Sequence, residues 1–462
     1  MENPSAENRK QQFLVFVVAT LVLILSAVNS TIVATALSDI QKSLGSDLNW
    51  TGWVISAYLL MNVTVMPLMG RISDEWGRKR VFLVCLVVFT LSSLLCAISP
   101  NIYCLIAFRA LQALGGGGFI PSIYGIVGDS FQEGRAQAIG MFSSIYSLGC
   151  IIGPALGGWL LESWSWRSVF WINLPIGVLV FIATILMLKP DRAVKRTSLD
   201  TVGAIYFAGA LLSLIYFMTR LGQDPSSIHS WRTLTLPVLG LLFLLAFLRR
   251  ESRVENPILE ITLLKSRVFA VMNLLNMVYG ACLFGITSFI PYFAMVTYGF
   301  SSLASGSLLT GQALGMMGMG VVTSMLLKRT GYRKPMALGF LLIALGAFGM
   351  GWYLRFPVFL GREIPPYICL MFMSFVIGLG GGMTSPSSNN AAIELMPDKI
   401  SAITGIRGMF RTAGGILGVS GVVLMLSLFT DPAEGFRMVF MGMGVLLVLG
   451  IPLVREVPDG KT

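Results

Sequence analysis

Fourteen apolar segments of membrane-crossing length run through this chain, and the fourth of them carries an arginine, Arg109, well inside it. A helix needs about 20 predominantly apolar residues to cross the hydrocarbon core of a bilayer. Segments that meet this need fall at approximately 13–37, 51–69, 81–98, 102–127, 138–161, 169–188, 202–218 and 234–248, then at 269–293, 303–327, 335–354, 367–393, 403–429 and 436–454. Hydrocarbon leaves no partner for an unpaired backbone N–H or C=O, so runs of this length must be helical. The expected fold class is an all-α integral membrane protein with fourteen transmembrane helices. The composition agrees: 55% of the 462 residues are hydrophobic and 12% charged, against roughly 25% charged in a soluble domain.

The formal net charge of +11 would fit a nucleic-acid surface if the cations were clustered. They follow the loops instead. With the amino terminus on the cytoplasmic side, 25 of the 33 lysines and arginines lie in cytoplasmic loops, 7 lie outside, and Arg109 is in the membrane. That bias orients the chain with both termini cytoplasmic and accounts for the charge without nucleic acid. The localisation expected is the cell (inner) membrane, multi-pass. Met1–Gln12 is polar, and the first apolar run is longer than a signal h-region, so no cleavable signal is expected. The six cysteines fall in apolar segments without metal-ligand spacing, and the lone histidine, His229, is in an outer loop. No metal site, no cofactor and no catalytic triad are expected, so the chain does not read as an enzyme.

Loops are short, and the two most charged stretches bracket segments 7 and 8. Removing those two segments leaves six on either side. The expected organisation is an N-terminal six-helix bundle over 1–190, two additional helices over 191–265 and a C-terminal six-helix bundle over 266–462. The turn between segments 2 and 3, Gly70-Arg71-Ile72-Ser73-Asp74-Glu75-Trp76-Gly77-Arg78-Lys79-Arg80, has its counterpart between segments 10 and 11, Ser324-Met325-Leu326-Leu327-Lys328-Arg329-Thr330-Gly331-Tyr332-Arg333-Lys334. The closing glycine and the basic pair after it match; Gly70 and Asp74 have no equivalent. Parallel repeats of this kind are a transporter architecture, with the substrate between the halves.

Several motifs then point to one family. Residues 70–80 resemble the signature loop of the major facilitator superfamily. Arg109-Ala110-Leu111-Gln112-Ala113-Leu114-Gly115 resembles its fourth-helix motif, and Gly149-Cys150-Ile151-Ile152-Gly153-Pro154-Ala155-Leu156-Gly157-Gly158 resembles the antiporter motif of its exporters. Residues 25–37, and the run from Trp166 to Gly177, are similar to motifs of its fourteen-helix drug:proton antiporters. The resemblance implies a major facilitator fold and export of amphipathic small molecules of the multidrug type by alternating access, energised by secondary coupling, with protons as the implied partner. It departs at one place: the family's first-helix motif opens with an aspartate, and here that position is Asn29. An amide cannot release a proton. A transporter of lipids or lipid precursors, which needs no central proton-relay carboxylate, is the alternative.

Candidate site residues fall into three groups. Gly70, Asp74, Gly77 and Arg78, with Arg407 and Arg411 on segment 13, form a gating group. A carboxylate at Asp74 is placed to accept from a helix amino terminus, where the macrodipole is positive, and the start of segment 13 near Ser401 is the expected donor in that contact. Gly149, Gly153 and Gly157, spaced by four, share one face of segment 5 together with the Pro154 bend and Gly158; such spacing admits another helix closely, as packing alone or as a contact about which the halves rock. Arg109 and Asn29 lie at similar depth, about 10 and 12 Å from the outer side at 1.5 Å per residue. A charge so deep needs interior partners, and Gln112 is one turn away. Central-cavity candidates are Asn29, Thr31, Tyr58, Asn62, Arg109, Gln112, Phe119, Tyr146, Asn276, Tyr292, Gln312 and Asn389. Polar residues in membrane helices also join helices, and aromatics also fill space, so only part of this group is expected to line a cavity. The expected ligands are small amphipathic or lipid-like molecules, with membrane lipids around the bundle.

Overall fold

A chain of apolar runs broken by glycine, proline and short polar turns forms helices wherever the runs are long. In a computed structural model the described residues are 6–46, 48–131, 135–188, 200–223, 225–254, 266–352, 358–359, 362–363, 365–395, 397 and 399–459. The charged stretches 189–199 and 255–265 lie outside them. The described residues divide into two units. The first holds residues up to Asp200 together with Leu395–Met409; the second holds Thr201–Glu394 and Phe410 onward.

The first unit contains α1 (Ala6–Thr35), α2 (Leu37–Leu44), α3 (Leu48–Trp76), α4 (Arg78–Ala97), α5 (Ile102–Ser130), α6 (Arg135–Ser163), α7 (Ser168–Trp171) and α8 (Asn173–Met187). The second contains α9 (Thr201–Gln223), α10 (Trp231–Glu251), α11 (Arg267–Tyr298), α12 (Ser302–Thr330), α13 (Arg333–Trp352), α14 (Pro366–Leu395) and α16 (Pro432–Gly450). Helix α15 (Ile400–Ser427) begins in the first unit and continues in the second. A ladder of two residues per strand, Val358–Phe359 against Arg362–Glu363, is the strand pairing among the described residues. Among them, twelve helices are long and apolar enough to cross a membrane, two fewer than the fourteen segments expected. The remaining two segments are helical as well: 138–161 lies in α6, and 202–218 lies in α9, whose apolar stretch Val202–Leu214 is short of a full crossing.

Local chemistry sets the ends. Asn101 Oδ1 accepts from Cys104 N at 2.9 Å and opens α5, and Asp431 Oδ1 accepts from Ala433 N at 2.9 Å ahead of Pro432 in α16, so a first-turn orphan donor is satisfied in each. Gly299 and Gly331, at φ +68° and +70°, terminate α11 and α12 in the left-handed region that only glycine enters freely.

Glycine also sets the closest packing of the first unit. The run Gly115–Gly118 lets α5 fit between α3 and α4. A Cβ on Gly115 would lie 2.6 Å from Phe89 N, and one on Gly116 would lie 2.7 Å from the Tyr58 hydroxyl. The four-spaced glycines of α6 face α1. A Cβ on Gly149 would meet Ala27 Cβ at 2.6 Å; on Gly153 it would strike Thr31 Oγ1; on Gly157 it would strike Thr35 Oγ1 and lie 3.0 Å from Ile32 Cγ1. Gly158 is off this face, with open space where its Cβ would be. The glycine face therefore packs on a helix of its own unit. The backbone of Pro154 continues α6, and its side chain is outside the described structure.

Gly157→Leu should consequently push α6 off α1, at a cost of about 1–3 kcal/mol typical of overpacking. Gly158→Leu should be tolerated. Thermal unfolding of the purified variants in detergent checks this; equal midpoints for the two leucine variants would rule out the α1 contact.

Candidate functional site

Helix α15 begins at Ile400. Lys399 precedes it and offers no side-chain acceptor. Asp74, at the end of α3, supplies the acceptor from outside: its Oδ2 receives a hydrogen bond from Ala402 N at 2.8 Å. An anion at this end also meets the positive pole of the helix dipole. The other carboxylate oxygen, Oδ1, is held by Arg78, with Nη2 at 2.9 Å and Nε at 3.1 Å. Arg78 itself is anchored by Nη1, which donates to Gly125 O and pairs with Asp129 Oδ1 at 2.5 Å. Gly77, at φ +102°, makes the break between α3 and α4 and so places Arg78 one turn from Asp74. Glycine is needed on α3 too: a Cβ on Gly70 would sit 3.0 Å from Ser401 C and 3.1 Å from Ala402 Cα, so α3 and the start of α15 meet backbone to backbone. Gly405 repeats this on α15, its Cβ position 3.1 Å from Pro67 Cα.

A second cluster surrounds Arg109, which is 2% exposed. Its Nε donates to Val54 O at 3.2 Å and its Nη1 to Gln112 Oε1 at 2.5 Å. Gln112 Nε2 passes the chain on to Ser93 Oγ at 2.6 Å, and Ser93 donates to Phe89 O at 2.8 Å. The guanidinium lies over the Tyr58 ring, 4.1 Å from its centroid, and 5.9 Å from that of Phe170. The charge is thus spread over amide, carbonyl and aromatic faces. A ring face attracts a cation through its quadrupole, more strongly where water is absent. Asn29 is fully buried and accepts from Asn173 Nδ2 at 3.4 Å, a long bond joining α1 to α8.

The whole chain can now be set beside known proteins. Its residues 19–419 match the sequence pattern of the Major Facilitator Superfamily. The chain belongs to that superfamily. It is 32% identical over 397 residues to the multidrug transporter protein MdtP of Bacillus subtilis (strain 168), covering 86% of this chain and 72% of that one. It is 31% identical over 420 residues to multidrug resistance protein 3 of the same organism, covering 89% and 79%. In fold it is similar to the crystal structure of the human organic anion transporter MFSD10 (TETRAN), with TM-score 0.69 and 16% identity, covering 98% of this chain and all of that one.

For this Major Facilitator Superfamily chain, the structure brings together Gly70, Asp74, Gly77 and Arg78 at the start of α15, and Tyr58, Arg109 and Gln112 in the second cluster. The cation on Asp74 is Arg78; Arg407 and Arg411 are further along α15, Arg407 being buried. The other cavity candidates are scattered. Phe119 is enclosed by Phe82 and Phe89, with ring centroids 5.9 and 5.0 Å away. Thr31 donates to Ala27 O within α1 at 3.1 Å. Asn62 is buried and Tyr146 half-buried. In the second unit, Gln312 donates to Thr287 Oγ1 at 2.7 Å. Asn276 is buried, whereas Tyr292 is 51% exposed and packs on Phe436. These two are sixteen residues apart on α11, about 24 Å at 1.5 Å per residue, so they do not share one site. Asn389 is half-buried on α14. Sequence reasoning missed Asp129, Ser93, Asn173 and Val54 O as partners. Asn173 carried a usable signal, an amide in an otherwise apolar run; a backbone carbonyl carries none.

Replacing Arg109 tests the second cluster. Arg109→Ala leaves the Gln112 amide and Val54 O without their donor, and a buried group left unpaired costs about 1–3 kcal/mol. Arg109→Lys keeps the charge and loses the fork. The expected order of thermal stability is parent, then lysine, then alanine; an alanine variant as stable as the parent would show that the network contributes nothing to the bundle.

Proposed function

We propose that this chain is an exporter of amphipathic small molecules, of the multidrug efflux type, working by alternating access across the cell (inner) membrane. In this reading fourteen helices cross the bilayer: a six-helix bundle over 1–190, the α9–α10 pair within 191–265, and a six-helix bundle over 266–462, with both termini cytoplasmic. The relatives named as multidrug transporter and multidrug resistance protein support the substrate class. The observation that carries the mechanism is the capping of α15 by Asp74, a carboxylate 328 positions earlier in the chain. A cap supplied from so far away holds two stretches of chain together, and opening the cytoplasmic side requires it to break.

The magnitudes are compatible with a cycle. A hydrogen bond to a charged group contributes about 1.5–3 kcal/mol. One charge moved through 100 mV releases about 2.3 kcal/mol, comparable with that clamp, and tenfold accumulation of substrate costs about 1.4 kcal/mol. A stronger latch would hold the transporter shut, and a weaker one would leak. Within this reading Arg109, Gln112 and Tyr58 provide a fixed positive charge beside an aromatic face, suited to orienting a substrate with a polar or anionic end, and Asn29 contributes an amide and no titrating group. Arg407 and Arg411, further along α15, join the gating group as cations that follow the movement of that helix.

Two outcomes test it. Asp74→Asn keeps an acceptor for Ala402 N and loses the charge that Arg78 and the helix dipole hold, so transport of a lipophilic dye into inverted vesicles should fall about tenfold with normal insertion, on the scale of 1.4 kcal/mol per factor of ten. A normally inserted variant that transports like the parent would reduce Asp74 to a loop residue. Asn29→Asp places a titratable group on α1, and uptake measured across pH should acquire a dependence that the parent lacks. Strict proton coupling in the parent would instead assign the coupling carboxylate to Asp39, Asp129 or Glu394.

A further inference from the structure

The loop that matches the gate loop in sequence, between α12 and α13, has a different partner. Where the first loop has Asp74 the second has Lys328, and where the first has Arg78 the second has Tyr332. Neither replacement offers a carboxylate for a helix amino terminus. What occupies this loop is the segment after α16. Tyr332 N donates to Asp459 O at 3.3 Å, and Arg333 Nε donates to Val457 O at 2.5 Å. Gly331, at φ +70°, permits the approach: a Cβ there would lie 2.8 Å from Asp459 Oδ1 and 3.4 Å from its Cγ. Val457 is fully buried and Val454 2% exposed, so the segment lies down on the unit by its apolar side chains as well. Glu456 adds an ion pair to Arg267 at 2.9 Å, though with Arg267 79% exposed it contributes little.

The first unit has a matching contact. Lys79, the second residue after Gly77, donates from Nζ to Ile185 O at 3.1 Å and Leu188 O at 2.5 Å, the carbonyls that end α8. Arg333 is the second residue after Gly331. In each unit, then, the second residue after the positive-φ glycine donates to backbone carbonyls of a later segment of that unit: the end of α8 in the first, Val457 beyond α16 in the second. At the end of α8 the cation also answers the unsatisfied carbonyls and the negative pole of a helix terminus.

We infer that Arg333 is a positioning residue, and that residues 456–459 form a brace which it holds on the α12–α13 loop throughout the transport cycle. The Asp74 clamp must break when the cytoplasmic side opens; the Arg333 brace joins two parts of one unit and need not. Its work is to keep the loop rigid while the other loop is released. The effect on turnover rests on the exporter reading above, whereas the hold on residues 456–459 does not.

The test is hydrogen exchange of the full-length protein in detergent, together with dye transport in inverted vesicles. In Arg333→Ala, and separately in Val457→Asp, which dislodges the segment without touching the loop, the Tyr332 amide should exchange at least tenfold faster. Turnover should fall severalfold with KM within twofold of the parent. Arg333→Lys, which keeps a donor to the Val457 carbonyl, should recover most of both. Unchanged Tyr332 exchange in both disrupting variants overturns the brace. Faster exchange with parental turnover overturns its role in the cycle. A parent that exports none of the dyes offered sinks the exporter reading instead, and the exchange measurement still decides the contact.

Discussion

Hydrocarbon supplies no hydrogen-bond partner, and nearly everything in this molecule follows from that. Backbone groups must be satisfied within helices, so the apolar runs become helices, and a charged side chain inside them is costly unless it finds partners within the bundle. Arg109 shows how far this goes. Among the described residues its guanidinium is met by a carbonyl, an amide and the face of Tyr58, each contributing partial charge in place of a full one. The amide is in turn fixed by Ser93, and the serine by its own helix. The charge organises three helices of the first unit around itself.

The same constraint explains what was legible in the sequence. Long apolar runs predict helices because length and hydropathy are all the bilayer requires, and the glycine, asparagine and aspartate that end or open those helices are visible as residues. Asp74 and Gly77 were legible for the same reason: a carboxylate and a glycine beside an apolar run have few uses. The partners were not. Ala402 N and Val54 O are backbone atoms that every residue possesses, so nothing in the letter at those positions marks them. Phe119 illustrates the opposite failure. An aromatic next to polar candidates reads as a cavity wall, yet two phenylalanines of α4 enclose it, and only the packing of α4 on α5 decides which. The count of crossing helices is ambiguous for a related reason, since α9 is long enough as a helix but its apolar stretch is short.

The two loops that match in sequence each carry a positive-φ glycine and differ in chemistry. In each, that glycine is followed at the second position by a cation that donates to backbone carbonyls of a later segment. The carboxylate present in one and missing from the other separates them: Asp74 reaches α15, whereas the loop with Lys328 is bound by the chain that follows α16. The two loops thus carry different contacts, and the difference needs only a few side chains.

The seam between α1 and α6 has a mechanical consequence. Gly149, Gly153 and Gly157 meet Ala27, Thr31 and Thr35 in order, and both threonines direct their one hydroxyl proton to carbonyls of α1 itself, Thr31 to Ala27 and Thr35 to Ile32. Neither has a proton left to donate across the seam. Cohesion at these three points comes from dispersion over closely matched surfaces, which falls off steeply with separation. With the same four-residue spacing on both helices, each small side chain of α1 sits in the notch that a glycine of α6 leaves: a toothed rail that fixes the register of the two helices as well as their distance.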